Sequence, residues 1–279
     1  YDQQGLVKLS DFKRVSGRFN SEYKLFDDHL RIGENISLSH SWGTSVSNNA
    51  ALGGTLYEAY KFQSITPVKN LEDEYAGNVF SDIPNPMGKL HRNKDNKDKK
   101  SRLVGNLYAE LHLFDGFMFK TSFGADYNNL YRRSFSPKYD EINASEKLSG
   151  LSNRNAWNFN WVFTNTLNYT KTFGDHTINA LLGLESLRNR YEYFTASRDG
   201  FPSDDPNFHF LDAGDVGTQK NSGSATEYSM VSYFGKIDYN YHDRYLVAFT
   251  LRRDGSSRLG NNKWGNFPAA SVGWRISNE

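Results

Sequence analysis

Apolar and polar residues alternate with a period of two through most of the chain. The longest such run extends from Trp157 to Tyr169, and its apolar positions are Trp157, Phe159, Trp161, Phe163, Leu167 and Tyr169. The positions between them are mostly Asn and Thr. Successive side chains of a β-strand point to opposite faces, so this pattern predicts a strand with one apolar and one polar face.

Nine segments share this pattern, and several exceed ten residues, whereas strands of globular proteins average about five or six. Eight of them span residues 15–25, 30–42, 103–113, 117–127, 157–169, 231–241, 245–251 and 268–276, and another begins with residues 178–184. The length and number of these segments indicate an all-β protein rather than an α/β enzyme.

Short and long connections alternate between these segments. The short ones are residues 26–29, 114–117, 173–176 and 242–244. The long ones are residues 43–101, 137–155, 196–226 and 255–265. Aromatic residues lie near both kinds of connection. Short turns at one end, long loops at the other and aromatic girdles at both are typical of outer-membrane barrels. The predicted fold class is therefore an antiparallel transmembrane β-barrel.

Four residues break the alternation. Glu34 and Asn165 fall on the apolar face of their strands, and Leu181 and Phe234 fall on the polar face. Either β-bulges shift the register at these positions, or the residues lie near a rim or against material inside the barrel. The sequence leaves both explanations open.

The longest loop has three features of its own. A short helix is predicted within residues 52–65, and the prolines of residues 83–86 predict an extended turn. Residues 92–102 form a charged run that also contains acidic residues. This run can contact anionic lipid, but a solvated loop is the favoured interpretation.

Composition excludes several functional classes. The net charge of +1 argues against nucleic-acid binding by phosphate neutralisation. The absence of cysteine excludes disulfides, thiolate metal sites and a cysteine nucleophile. Aromatic residues make up 15% of a chain that is only 37% hydrophobic, and this balance suits a β-rich protein with aromatic girdles.

Candidate chemistry is sparse. The histidines show no metal-ligand spacing, and the acidic loop with Asp204, Asp205, Asp212 and Asp215 is more readily a solvated loop than a calcium site. No serine elbow or phosphate-binding loop is present, so we expect neither an enzyme nor a cofactor.

Four polar-face residues near the long loops are the candidate substrate-binding residues: Asp126, Asn128, Asn158 and Asn160. Their side chains can hydrogen-bond a sugar or a peptide in transit. Equally, they can hydrate the interior of the barrel or pack against a plug.

Several segments resemble the SusC/RagA family of TonB-linked outer-membrane proteins. They are residues 10–20, 30–39, 85–97, 164–183, 201–214 and 232–279. The resemblance extends over nearly the whole chain. One departure is Leu259, which follows the DGSSR segment where the family usually has Phe.

The resemblance implies a TonB-dependent importer of oligosaccharides or oligopeptides in the outer membrane of a Gram-negative bacterium. Such importers have an N-terminal plug inside a 22-stranded barrel, a TonB box that contacts TonB, and a SusD-like surface lipoprotein as partner. Residues 1–279 are then expected to be one partial barrel domain in contact with outer-membrane lipid. The plug, the TonB box and the C-terminal strands are expected outside it.

Two other functions remain open. A passive porin would share the barrel but need neither plug nor TonB. A soluble, β-rich carbohydrate-binding module would instead bury one face of each strand in a dry core.

Overall fold

The computed structural model describes residues 1–46 and 54–278. Its dominant element is an antiparallel sheet, accompanied by two short helices and a separate two-stranded hairpin. The strands are β1 Asp2–Gln4, β2 Asp11–Leu25, β3 Leu30–Gly43, β4 Lys97–Phe114, β5 Phe117–Ser136, β6 Tyr139–Glu141, β7 Ala144–Glu146, β8 Gly150–Phe173, β9 His176–Asp199, β10 Lys220–Tyr241, β11 Tyr245–Ser256 and β12 Trp264–Trp274. The helices are α1 Thr55–Lys61 and α2 Pro86–Asn93.

The large sheet has ten strands in the order β1-β2-β3-β4-β5-β8-β9-β10-β11-β12, and β6 pairs with β7 apart from it. The nine predicted strands are β2 to β5 and β8 to β12, so the predicted antiparallel fold is confirmed. Among the described residues β1 and β12 are the two edges, and the sheet is therefore not closed.

Several strands extend further towards the long loops than the sequence predicts. β10 begins at Lys220 rather than at residue 231, and β9 continues to Asp199, into the predicted loop 196–226. The strand β1 is an additional finding. It pairs Gln4 with Asp11 and thereby covers the start of β2.

Register places the alternating residues on two distinct faces. Phe123 lies opposite both Leu107 and Phe163, and this row defines the apolar face. Asp126 lies opposite Asn160 on the other, polar face. The rings of the apolar face remain accessible, since Phe163 keeps 41% of its surface. Such a face is suited to an apolar solvent rather than to water.

The two polar exceptions on the apolar face occupy regular ladder positions. Glu34 lies opposite Ser21 and Leu107, and the Ser21 hydroxyl donates a hydrogen bond to the Glu34 carboxylate. Asn165 lies opposite Leu184 on the neighbouring strand. Among the described ladders, register shifts only between His112 and Phe114. The β-bulge explanation is therefore wrong for these residues.

The two apolar exceptions on the polar face are equally regular. Leu181 lies opposite Lys236, and Phe234 lies opposite Gly183. The Phe234 ring occupies the space that a side chain at position 183 would fill. Glycine thus lets a large ring lie against the sheet on a face that is otherwise polar.

The short turns need left-handed backbone. Gly116 and Gly174 supply it, with φ angles of +81° and +56°. In two other turns Asp28 and His242 adopt positive φ, and Asp and His tolerate this region better than most residues do.

The long loops contain more regular structure than predicted. Residues 97–102 of the charged run belong to β4 and Arg92 to α2, so the expectation of a loop is wrong there, although Lys99 to Arg102 are exposed. The helix predicted at residues 52–65 is the shorter α1, and positions 52 and 53 lie outside the described residues. No helix in the described part of the chain is both long and apolar enough to cross a membrane.

Buried polar contacts hold the first long loop together. Asn85 caps α2 by accepting hydrogen bonds from the backbone of Met87 and Gly88. Its own backbone N–H donates to the Glu141 carboxylate at 2.5 Å, and Arg92 pairs with that carboxylate at 2.7 Å. Lys89 of α2 also pairs with Glu58 of α1 at 2.7 Å, so the two helices and the β6–β7 hairpin form one connected layer.

Candidate functional site

The four candidate residues lie together on the polar face. Asp126 is the direct cross-strand partner of Asn160, and Asn128 is the partner of Asn158. They occupy alternate positions on β5 and β8, so their side chains emerge next to one another on the same face. We call this group, with Asn189 of β9, the asparagine patch.

An arginine that the sequence analysis did not identify completes one end of the patch. Arg102 of β4 donates two hydrogen bonds to Asp126, Nε to Oδ1 at 2.9 Å and Nη2 to Oδ2 at 2.6 Å. This bidentate pair fixes the orientation of both side chains and compensates the charge of the carboxylate. Asp126 therefore does not present an unpaired anion to a ligand.

The amides of the patch retain hydrogen-bonding capacity. Asn189 donates from Nδ2 to Oδ1 of Asn158 at 2.9 Å. The Oδ1 atom of Asn160 is buried and has no hydrogen-bond partner among the described residues. Asn128 is exposed. An orphaned acceptor beside an exposed amide can receive and donate hydrogen bonds to a polar ligand or to ordered water.

Arg154 and two tyrosines continue the polar face towards the long loops. The Arg154 guanidinium lies over the Tyr193 ring, 4.1 Å from its centroid, and donates to the Tyr191 hydroxyl at 3.2 Å. Tyr191 is the cross-strand partner of Asn158, so this group adjoins the asparagine patch. Within the described residues Arg154 has no carboxylate partner.

A second polar-face cluster is fully paired. Arg252 bonds Asp254 from Nε at 2.7 Å, and from Nη2 it bonds Glu185 at 3.2 Å and the Ser232 hydroxyl at 3.0 Å. Thr164 donates to the other oxygen of Glu185 at 3.2 Å. Because its donors and acceptors are matched within the sheet, this cluster stabilises the wall rather than offering a binding site.

The acidic loop uses its carboxylates for local structure. Asp205 and Asp215 accept backbone hydrogen bonds two residues ahead, from Asn207 and Gly217, and Asp212 pairs with Arg198 at 3.3 Å. In the part of the chain that the structure describes, no three His, Asp or Glu side chains converge as metal ligands.

The polar face thus presents amides, phenols and guanidinium groups at fixed spacings. Such groups hydrogen-bond hydroxyl-rich and amide-rich molecules. Whether the patch binds a ligand, hydrates an interior or packs against a plug stays a prediction.

Curated proteins match this chain over its whole length. No protein-family model matches the chain. The TonB-dependent receptor P3 of Formosa agariphila is 30% identical over 287 residues, which cover 100% of this chain and 28% of that receptor. The TonB-dependent receptor SusC of Bacteroides thetaiotaomicron is 27% identical over 300 residues, which cover 100% of this chain and 29% of SusC. The chain therefore spans less than a third of the length of these curated relatives.

Solved structures show the same fold. The RagAB peptide importer in its open-open state matches with a TM-score of 0.81 and 23% identity, over 100% of this chain and 31% of that chain. The ferripyoverdine receptor of the Pseudomonas aeruginosa outer membrane matches with a TM-score of 0.55 and 10% identity, over 98% and 33% of the two chains. The chain is thus similar, along its whole length, to part of TonB-dependent receptors that include SusC, and it shares the fold of the matching part of the RagAB importer.

Proposed function

We propose that this chain forms part of the barrel wall and the external loops of a TonB-dependent nutrient importer in a Gram-negative outer membrane. The observation that carries the proposal is the two-faced sheet, with tight turns at one end and structured loops at the other, in a homologue of SusC. In this arrangement the apolar face meets lipid and the polar face lines the interior. Further strands, a plug and a TonB box complete the importer.

The proposed cargo is an oligosaccharide or an oligopeptide, guided along the asparagine patch. The patch supplies an unpaired amide acceptor on Asn160 and an exposed amide on Asn128. Neither sits beside a nucleophile and base arranged for catalysis, so the contribution of these side chains is binding during passage. TonB supplies the energy, and the chain itself acts as a transporter rather than an enzyme.

The proposed partner is a SusD-like surface lipoprotein that seats on the loop layer. Apolar side chains lie exposed on α1 and on the segment between the two helices, including Tyr60 at 89% and Phe80 at 67%. Long ordered loops usually have a function, and exposed apolar side chains supported by a rigid layer are typical of contact surfaces. The buried contacts around Asn85 and Glu141 provide that rigidity.

The central test measures uptake by the complete receptor in cells that lack their own copy. Defined oligosaccharide and peptide mixtures are supplied, and their depletion from the medium is followed by mass spectrometry. We expect depletion of one mixture only, and only while TonB is functional. Depletion that persists without TonB would favour a porin, and a receptor that is soluble without detergent would favour the carbohydrate-binding module.

The patch is tested within the same assay by a double substitution, Asn158→Ala with Asn160→Ala. We expect slower uptake with the barrel still folded. The matched control is Asn179→Ala, because Asn179 lies on the same face near a tight turn and outside the patch. Equal uptake by both variants would exclude the patch as a cargo contact.

The partner surface is tested by two variants: one replaces Tyr60 and Phe80 with Ser, and the other shortens residues 200–219, the long loop between β9 and β10. We expect less lipoprotein to co-purify with the receptor, while the folded fraction of the receptor is unchanged. Undiminished co-purification in both variants would contradict the assignment of the loops as the docking surface.

A further inference from the structure

A groove interrupts the apolar face between β9, β10 and β11. Gly235 of β10 lies opposite Leu182 of β9 on one side and Leu251 of β11 on the other. The middle position of this three-residue row therefore has no side chain. The groove has a volume of about 710 Å³, within the range of about 300–1,000 Å³ typical of small-molecule sites. Its walls are apolar and are formed by Ala180, Leu182, Ile237, Phe249 and Leu251.

The loop-side end of the groove has a different chemistry. Arg253 stands two residues beyond Leu251 on the same face, and its guanidinium lies 5.0 Å from the centroid of the Trp264 ring. Tyr233 stacks on the same indole at 5.9 Å. Aromatic rings beside a long cationic side chain are typical of the boundary between lipid chains and headgroups.

The charge of Arg253 is uncompensated, and this separates it from the other arginines nearby. Arg188 pairs with Glu227 at 2.8 Å, and Arg190 pairs with Glu192 at 2.8 Å. Among the described residues no carboxylate pairs with Arg253. A guanidinium at the edge of an apolar groove favours a phosphate, which it can bind through two parallel hydrogen bonds.

We propose that this groove binds a phosphorylated glycolipid of the outer leaflet, lipid A, with an acyl chain over Gly235 and a phosphate on Arg253. The inference rests on the proposed placement of the chain in an outer membrane. The long loops of such barrels are extracellular, and Arg253 lies at the loop-side end, so the headgroup belongs to the outer leaflet. Trp264 and Tyr233 then cover the junction between the headgroup and the chain.

The test is native mass spectrometry of the full-length receptor in mild detergent. The probes are monophosphorylated lipid A, its phosphate-free counterpart and phosphatidylglycerol. We expect the wild-type receptor to retain lipid A about tenfold better than the phosphate-free form. A factor of about ten in affinity is what one hydrogen bond to a charged group contributes. Phosphatidylglycerol retained as well as lipid A would overturn the choice of lipid.

Two substitutions separate the headgroup from the chain contact. Arg253→Gln is expected to abolish the preference for phosphate, and Gly235→Leu, which fills the groove, is expected to lower retention of both forms. Arg188→Gln is the matched control, because Arg188 is already paired with Glu227. This variant is expected to retain the lipids as the wild type does. A wild-type result with Arg253→Gln, or an equal loss with Arg188→Gln, would overturn the proposal.

Failure of this site is distinguishable from failure of the proposed function. A folded, detergent-extracted receptor that imports its cargo but shows no phosphate preference excludes the lipid site alone. A receptor that stays in solution without detergent excludes the membrane placement, and the lipid site with it.

Discussion

The ring of Phe234 lies over Gly183, its direct partner across the β9–β10 ladder. On the far side of the ring the Arg252 guanidinium lies 5.4 Å from its centroid. The phenyl group is thus held between a glycine backbone and a paired arginine. The same arrangement recurs on β3 and β4, where the Tyr108 ring covers Gly33.

Adding a methyl group beneath the Phe234 ring should therefore destabilise the sheet. We expect Gly183→Ala to cost about 1–3 kcal/mol, because the ring or the strand must move. Gly17→Ala is the control, since no atom lies within 4 Å of the added Cβ there. Unfolding of the detergent-solubilised receptor in urea measures the difference. Equal midpoints for the two variants would contradict the observed ring position.

Adjacent residues of β8 test the assignment of faces. Phe163 lies on the apolar face and Thr164 on the polar face. We expect Phe163→Arg to cost about 2–4 kcal/mol if the side chain meets the middle of a bilayer. Thr164→Arg should cost much less, because a new cation would lie beside Glu185. Heat-modifiable gel mobility measures the folded fraction, and equal losses would refute the assignment.

Two neighbouring carboxylates test the loop layer. The Glu141 side chain is 3% exposed and pairs with Arg92, whereas Asp140 is 78% exposed and pairs with Lys147. Glu141→Ala leaves a buried guanidinium unpaired, so we expect a local loss of about 3–5 kcal/mol. Asp140→Ala should change stability by less than about 1 kcal/mol. Hydrogen exchange in α2 measures both. Matching protection factors would show that the buried pair is not what holds the layer.

The contribution of the turn between β2 and β3 to the stability of the protein depends on pH. Hydrogen bonds from Arg31, and then from Lys24, hold the pKa of Asp28 below its ordinary value of 3.8. A lowered folded-state pKa stabilises the protein above pH 3.8, and this contribution is lost as the pH falls through the lowered pKa. We expect Asp28→Asn to be less stable than the wild type at pH 7 and to converge with it in acid. A constant difference in urea midpoint across that range would contradict this origin.

Periodicity predicted the parts of the sheet whose two faces differ in polarity. Strands such as β8 alternate because one face is apolar and the other polar. The first half of β10, from Lys220 to Met230, contains few large apolar residues, so the pattern could not predict it. The three-residue strands β1, β6 and β7 are too short for any period to be detected.

The candidate site was predictable in position but not in pairing. Alternation placed Asp126 and Asn160 on one face, but only the ladder register makes them direct partners. The ion pair between Arg102 and Asp126 joins β4 to β5, and its two residues lie 24 positions apart in the sequence. That Arg154 contacts two tyrosines of β9, and no carboxylate among the described residues, is likewise a property of the sheet and not of its local sequence.

The order of strands in the sheet has a consequence for how the wall is assembled. Each ladder joins strands that follow one another along the chain, with the small β6–β7 hairpin as the one insertion among the described strands. Every ladder therefore closes across one connection, either a tight turn or a single longer loop. Closing a tight turn costs less conformational entropy than closing a long loop, so we expect the tight-turn hairpins to form before the ladders that join them. Damage to the turn at Gly174 is then expected to delay the β8–β9 ladder and to leave the other tight-turn hairpins unaffected.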